Sequence, residues 1–457
     1  MQDTDCEFAA QGSDTAVPDE GAPRVTKYRG FIVALAQVKK ACAATNAEIG
    51  ALTPAKAGAI SSACDEMAAG GFDSRLAASL ADGLLDAVNA AADRVLAARA
   101  TGLLAETGEA VAVDARGDVN MGQSSLDAVL TAMSLALYDE IGRVLAATAP
   151  LERILKRKAD EFGTVVKVGR FGLRDGVPTT LGQEFSGYLA GIERNRDSLE
   201  RERLQWSWGV LGATAAGTGL GCAPGFRAAV YRHLSALCGR EIRCADNLFD
   251  GLQARDSYIV LHARLLALAT AAGRIGKDVR LMSSGPRGGL GEIALPAVQP
   301  GSSIMPGKVN PVIADQMMVI AQRIAGNQAG IDMAASSGEL DGGSRSGLFC
   351  RAMLDSIDLL CRGLGIFTER CVAGITANRE HCREMAERPA PLAAAAAEVL
   401  GPEAAARIER AARRQGITFR EAASRDEALP AGAAADLADA AALAAPEKAA
   451  ALFAKYR

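Results

Sequence analysis

Apolar positions recur at helical spacing through most of the chain. From Phe31 to Leu52, the residues Phe31, Leu35, Val38, Cys42 and Ile49 keep one helical face, with Lys39, Lys40 and Glu48 elsewhere. The pattern resumes at Leu84–Leu104 and at Ser125–Ala146. A Val-rich run at Val165–Pro178, punctuated by Gly169, Gly172 and Gly176, interrupts it and reads as a small hairpin or an irregular loop. Charged helical patterning returns at Gln183–Gly209, and the turn GTGLGCAPGF (Gly217–Phe226) starts another helix at Pro224. Ser257–Met282 and Val312–Ala335 are long and bury more than one stripe, so both are expected inside a bundle. After Ile375 the chain turns Ala- and Arg-rich and short-helical. The expected organisation is a disordered acidic tail over 1–29, a helical domain over 30–120, a central bundle over 121–370 and a small helical domain over 371–457.

Composition agrees with helices. The 457 residues suffice for a large core and two or three domains. Hydrophobic residues make up 49% and aromatics 4%, with alanine throughout, which favours closely packed helices over sheets. Fifty basic residues face 54 acidic ones, and no segment gathers Lys and Arg with aromatics, so no nucleic-acid partner is expected. Ten scattered cysteines without a CxxC pair read as buried small residues in a reducing compartment. Cys350, Cys361, Cys371 and Cys382 recur about every three helical turns and fit one core face. Three histidines, His233, His262 and His381, argue against a histidine metal site, and no cofactor is expected. The N-terminus has neither the basic nor the apolar region of a signal peptide. No uninterrupted apolar run is long enough for a bilayer, and a cytoplasmic protein with no membrane partner is the expectation.

Between the two long apolar helices lies the polar loop GSSIMPGKVNP, Gly301–Pro311. Its glycines and prolines let the backbone turn sharply and bring amides near a ligand. Lys308 supplies a fixed charge, Asn310 an amide that donates and accepts, and Ser302 and Ser303 are its candidate nucleophiles or bases. A serine hydroxyl beside a lysine and several amides is easier to ionise, because those groups stabilise the oxyanion. The plain alternative is a connector with a helix cap.

The order of residues in this loop resembles the signature GSSxMPxKxN of the fumarase/aspartase superfamily. The likeness extends to LGQEFSGY (Leu181–Tyr188), GTGLGCAPGF, SSGPRGGLGEIALP (Ser283–Pro296), CVAGITANRE (Cys371–Glu380) and VNMGQSSLD (Val119–Asp127), and covers the chain from about Phe31 onward. It implies an all-α, three-domain subunit with a central long-helix bundle, a homotetramer, and active sites assembled from three chains. The implied reaction is an anti β-elimination that forms fumarate from a succinate bearing a leaving group. Ser302 falls on the base, Lys308 and Asn310 on the groups that stabilise the aci-carboxylate, and Ser124 and Ser125 on hydroxyls that hold substrate. Asp315, Thr180 and Gln183 take supporting positions. ITANRE and LMSSGPR lean towards aspartases, so release of an amine from an aspartate-like amino acid is expected, with a fumarase-like hydro-lyase as the alternative.

The departures from the family gather in the implied substrate pocket. Phe171 and Gly172 stand where the family has Thr and His, which leaves Asp315 without its usual partner. GLLDAVNAAADR (Gly83–Arg94), with Leu84, Leu85 and Asp86, replaces a stretch of Ser and Thr donors, Leu126 replaces an amide, and DARGDVN replaces HPNDHVN. One reading is a lyase with a rebuilt pocket, in which Arg116, Arg170 or Arg174 supplies a carboxylate clamp. The other is a silent homologue, or a subunit in a hetero-oligomer with an active paralogue. Either partner list begins with a small dicarboxylate or amino-acid substrate.

Overall fold

The computed structural model describes residues 25–72, 85–299, 308–343, 347–427 and 429–456, together with Leu76, Ser79, Gly301, Ile304 and Met305. Of the expected tail over 1–29, residues 1–24 lie outside the described residues, as do Gly83, Leu84, Ser302 and Ser303, whereas Val25–Tyr28 form a 3-10 helix and Arg29 begins the first α-helix. The chain divides into two compact units. The first comprises Met1–Met133, Gly209–Leu252 and Arg345–Gly347, and the second Ser134–Trp208, Gln253–Ser344 and Leu348–Arg457. The fold is all-α in character, with helices carrying both units.

In the first unit, α1 (Arg29–Glu48) packs against α2 (Pro54–Ala69), and α3 (Leu85–Glu106) against α2. Phe31, Leu35, Val38 and Cys42 are buried along α1, as their spacing predicts. Thr53 caps α2 by accepting the Lys56 N–H, and Pro54 occupies the first turn, where its missing N–H costs nothing. Lys39 departs from expectation. Although it lies off the apolar face, it is wholly buried, with Nζ 2.7 Å from Asp93 Oδ1 and donating to Asn120 Oδ1 at 2.8 Å. A buried ammonium survives because those acceptors replace its water.

The helix α4 (Ser125–Glu161) is far longer than the expected Ser125–Ala146, and Pro150 lies inside it. The interruption that follows is a hairpin, β1 (Val166–Phe171) and β2 (Arg174–Thr180), paired from Val166↔Thr180 to Phe171↔Arg174. In the second unit, α5 (Leu181–Arg203), α8 (Asp256–Met282), α9 (Val312–Ala335) and α10 (Leu348–Arg370) form the bundle, after α6 (Phe226–Cys238) and α7 (Leu248–Gln253) of the first. Glycines bring α8 and α9 together: a Cβ on Gly276 would stand 2.8 Å from the Ala314 carbonyl oxygen. His262 is buried among these helices, with its ring nitrogens 2.8 Å from Gln328 Oε1 and Ser356 Oγ, and burial lowers its pKa. By length and composition α8 is apolar enough to cross a bilayer, but half of its apolar window is buried inside the protein and Arg264 interrupts the apolar run.

The C-terminal helices, from α11 (Arg379–Ala386) and α12 (Pro389–Leu400) onward, share an alanine-rich core with Leu392, Ile408, Phe419 and Val168 of β1. The four evenly spaced cysteines do not share one helix face. Cys350 and Cys361 lie on α10, which ends at Arg370, whereas Cys382 lies on α11. The chain turns between them, so even spacing does not carry one face across the break.

Candidate functional site

Two groups of candidate residues are described, one in each unit. In the first unit, Ser124 precedes α4 and acts as its cap. Its Oγ accepts the Asp127 N–H at 3.1 Å and donates to the Thr214 carbonyl at 2.9 Å. Asp127 closes the ring: Oδ1 accepts the Ser124 N–H at 2.8 Å and Oδ2 the Thr214 N–H at 2.9 Å. Burial pushes the Asp127 carboxyl up to about 7, against the pull of those two amides. The Ser124 hydroxyl, expected to hold substrate, is therefore occupied in tying the start of α4 to Thr214, ahead of the glycine-rich turn. Ser125 is half-buried at the first helical position, and Leu126 is buried. Arg116 is exposed, in the turn Ala115–Val119.

In the second unit, the C-terminal end of the base loop, Lys308 to Pro311, forms one wall of an open cavity of about 690 Å3. The cavity is lined by Lys308 and Asn310 from the loop, Arg280, Ser283 and Ser284 from the end of α8 and beyond, and Thr376 and Asn378 before α11. Asn310 Nδ2 donates to the Gly301 carbonyl at 2.6 Å and so closes the loop on itself. Gly301 is required there, because a Cβ would lie 2.0 Å from the Lys308 carbonyl oxygen. Across the cavity, Asn378 donates its side-chain amide to Gly291 at 3.2 Å and its backbone N–H to Glu292 at 2.8 Å. Two cations and no carboxylate line this cavity among the described residues, so it favours anions.

The supporting residues are placed in detail. Thr180 and Gln183 make a capping box at the start of α5, and the Gln183 amide donates to Ala444 O at 2.8 Å. Their polar groups are thus taken up by structure. Asp315, in the first turn of α9, is paired: Arg280 Nε lies 3.3 Å from its Oδ1. Arg170 is committed elsewhere. Its Nη1 donates at 2.7 Å to Glu292 Oε1, a carboxylate with 0% exposure that also has Lys167 Nζ at 3.2 Å. Arg174, Phe171 and Gly172 sit at the exposed turn of the hairpin, with Phe171 90% exposed. Sequence reasoning passed over Arg280, Glu292 and Asn378. All three lie in or beside the motifs LMSSGPR, GLGEIALP and ITANRE, which is the signal that would have found them.

Comparison with known proteins places the chain. Residues 20–326 match the family model described as lyase. The chain is 39% identical over 396 residues to fumarate hydratase class II of Chromobacterium violaceum, covering 86% of each. It is 36% identical over 415 residues to aspartate ammonia-lyase of Bacillus subtilis, covering 90% of this chain and 87% of the relative. Among solved structures, class II fumarase from Schistosoma mansoni matches with a TM-score of 0.86 and 30% identity over 92% of this chain and 91% of that one. The fumarate lyase:delta crystallin structure from Brucella melitensis matches with a TM-score of 0.85 and 35% identity over 94% of each chain. The loop, the helical bundle and these relatives agree: the chain belongs to the fumarase/aspartase superfamily of lyases.

Proposed function

We propose that the protein is an aspartase-like carbon–nitrogen lyase, which releases ammonia or another amine from an aspartate-like amino acid to leave fumarate or an analogue. The observation that carries the proposal is the cavity that Lys308, Asn310 and Arg280 line together, with no carboxylate among its described lining residues. Such a site suits a substrate that becomes a dianion. In the proposed reaction Ser302 takes the proton from the carbon next to one carboxylate, the electron pair stays on that carboxylate as an aci form, and the carbon–nitrogen bond then breaks. Lys308 and Asn310 are fixed donors that stabilise the developing charge without reorganising.

The aspartate ammonia-lyase likeness and the ITANRE and LMSSGPR motifs support the amine as leaving group. The 39% identity to class II fumarases supports a second reading, with water leaving instead. Free L-aspartate is expected to be a poor substrate in either case. Phe171, Gly172, Leu126 and Asp86 stand where polar contacts are expected, and each lost bond to a charged group costs about 1.5–3 kcal/mol. We further propose a homotetramer with small dicarboxylate or amino-acid substrates. The test is incubation with fumarate and a panel of amines, following fumarate absorbance. Loss with an amine supports the ammonia-lyase reading, loss with water alone supports the hydro-lyase, and no loss with any partner leaves a silent homologue.

A further inference from the structure

We propose that Arg280 is a carboxylate-binding residue of the Lys308 cavity and that Asp315 is the group that holds it in place. The inference deepens the elimination reading by assigning the second cation that a dicarboxylate requires.

The cavity supplies the first argument. Arg280 and Lys308 line it together, no described carboxylate does, and Asp315 is absent from its walls. A dianion entering there meets two positive groups contributed by different segments, one from the last turn of α8 and one from the base loop. The second argument is the pairing of Arg280. Asp315 Oδ1 sits 3.3 Å from Nε, and among the described residues it is the only carboxylate within ion-pair distance. Guanidinium carries five N–H donors in a planar fork. One carboxylate on the Nε side orients the fork and leaves the outer nitrogens for a second, which is the geometry that bidentate recognition needs.

Arg116, Arg170 and Arg174, the other candidate clamps, do not line this cavity. Arg170 is consumed by buried Glu292, and Arg174 lies at the exposed hairpin turn rather than on the cavity wall. Asp315 thereby acquires a role that does not need the histidine missing at Gly172. It holds a cation and leaves the proton chemistry to other groups, so it is a positioning residue.

Succinate tests this, because it presents two carboxylates and no leaving group. Its binding to the full chain is measured by calorimetry for wild type and for Arg280→Gln, with assembly and circular dichroism checked in parallel. We expect saturable millimolar or tighter binding by wild type, weakened about tenfold or more in Arg280→Gln. Binding by a folded Arg280→Gln within about twofold of wild type overturns the proposal, as does a wild type that shows no succinate binding. Should Arg280→Gln fail to assemble, Arg280→Lys is read instead. It keeps the charge beside Asp315 and loses the fork, so weakening of about threefold or more supports the assignment and unchanged binding overturns it. The two readings separate cleanly. Succinate bound through Arg280 with no fumarate addition removes the lyase alone, whereas unimpaired turnover by Arg280→Gln removes the Arg280 assignment alone.

Discussion

Arg170 Nη1 lies 2.7 Å from Glu292 Oε1, and the carboxylate it meets is entirely shielded from water. A carboxylate in that position depends on its cations, Arg170 and Lys167, for the solvation it has lost. Replacing Arg170 with Ala leaves an under-compensated buried charge and is expected to cost about 3–5 kcal/mol, read by denaturant unfolding. Exchanging Glu292 for Gln in the same background should recover part of that loss. An Arg170→Ala protein as stable as wild type would show that Lys167 alone suffices, and would return Arg170 to the list of candidate clamps. Glu292 lies between Gly291 and Ile293, both on the cavity wall, so the pair also bears on the shape of the site.

Asp127 should leave a signature in stability against pH. Its folded-state pKa of about 7 exceeds the ordinary value of 3.8 because burial penalises the anion. Between these values the folded chain binds a proton that the unfolded chain has released. Stability contributed by this group is therefore greatest in acid and falls as pH rises towards 7, by up to about 1.4 kcal/mol per pH unit. Asp127→Asn carries no such proton, so its unfolding free energy should lack this component of the slope between pH 4 and 7. Identical slopes for the two proteins would place the titration elsewhere.

Assembly is testable on the outer face of α9. Val319 and Met333 are 59% and 74% exposed on a helix whose other faces pack against α8 and α10. Exposed large apolar groups on a bundle helix are what a homotetramer would cover. We expect sedimentation of the wild type as a tetramer and dissociation towards smaller species in Val319→Lys combined with Met333→Glu. A wild-type monomer would end the tetramer proposal.

The base is tested by exchange of neighbouring serines. Ser302→Ala should lower kcat of any lyase activity by several orders of magnitude, with circular dichroism and sedimentation unchanged, because Ser302 is the proposed base and alanine has no group to take the proton. Ser303→Ala should do far less. An active Ser302→Ala variant would move the base out of this loop and leave it a connector.

Where local pattern and long-range packing agree, the sequence was enough. Val312–Ala335 is a helix over the span its periodicity predicts, and α8 begins within a residue of the expected Ser257, because runs of Ala, Leu and Ile impose the same answer on backbone and core. The loop signature alone sufficed for the superfamily, since a specified order of Gly, Ser, Pro, Lys and Asn carries chemistry that spacing alone does not. Tertiary structure decided the partners. Lys39 reads only as a residue off the apolar face until Asp93, dozens of residues away, is brought to it. Arg170 reads as a free clamp until Glu292 takes it, and Asp315 reads as an acid without a partner until the last turn of α8 delivers Arg280. Ser124 and Gln183 read as substrate or support groups until Thr214 and Ala444 occupy their donors. Periodicity says which face a residue occupies. Which charge meets which depends on contacts between distant segments, and burial makes those contacts obligatory, because a desolvated ion or donor must find its complement inside the fold.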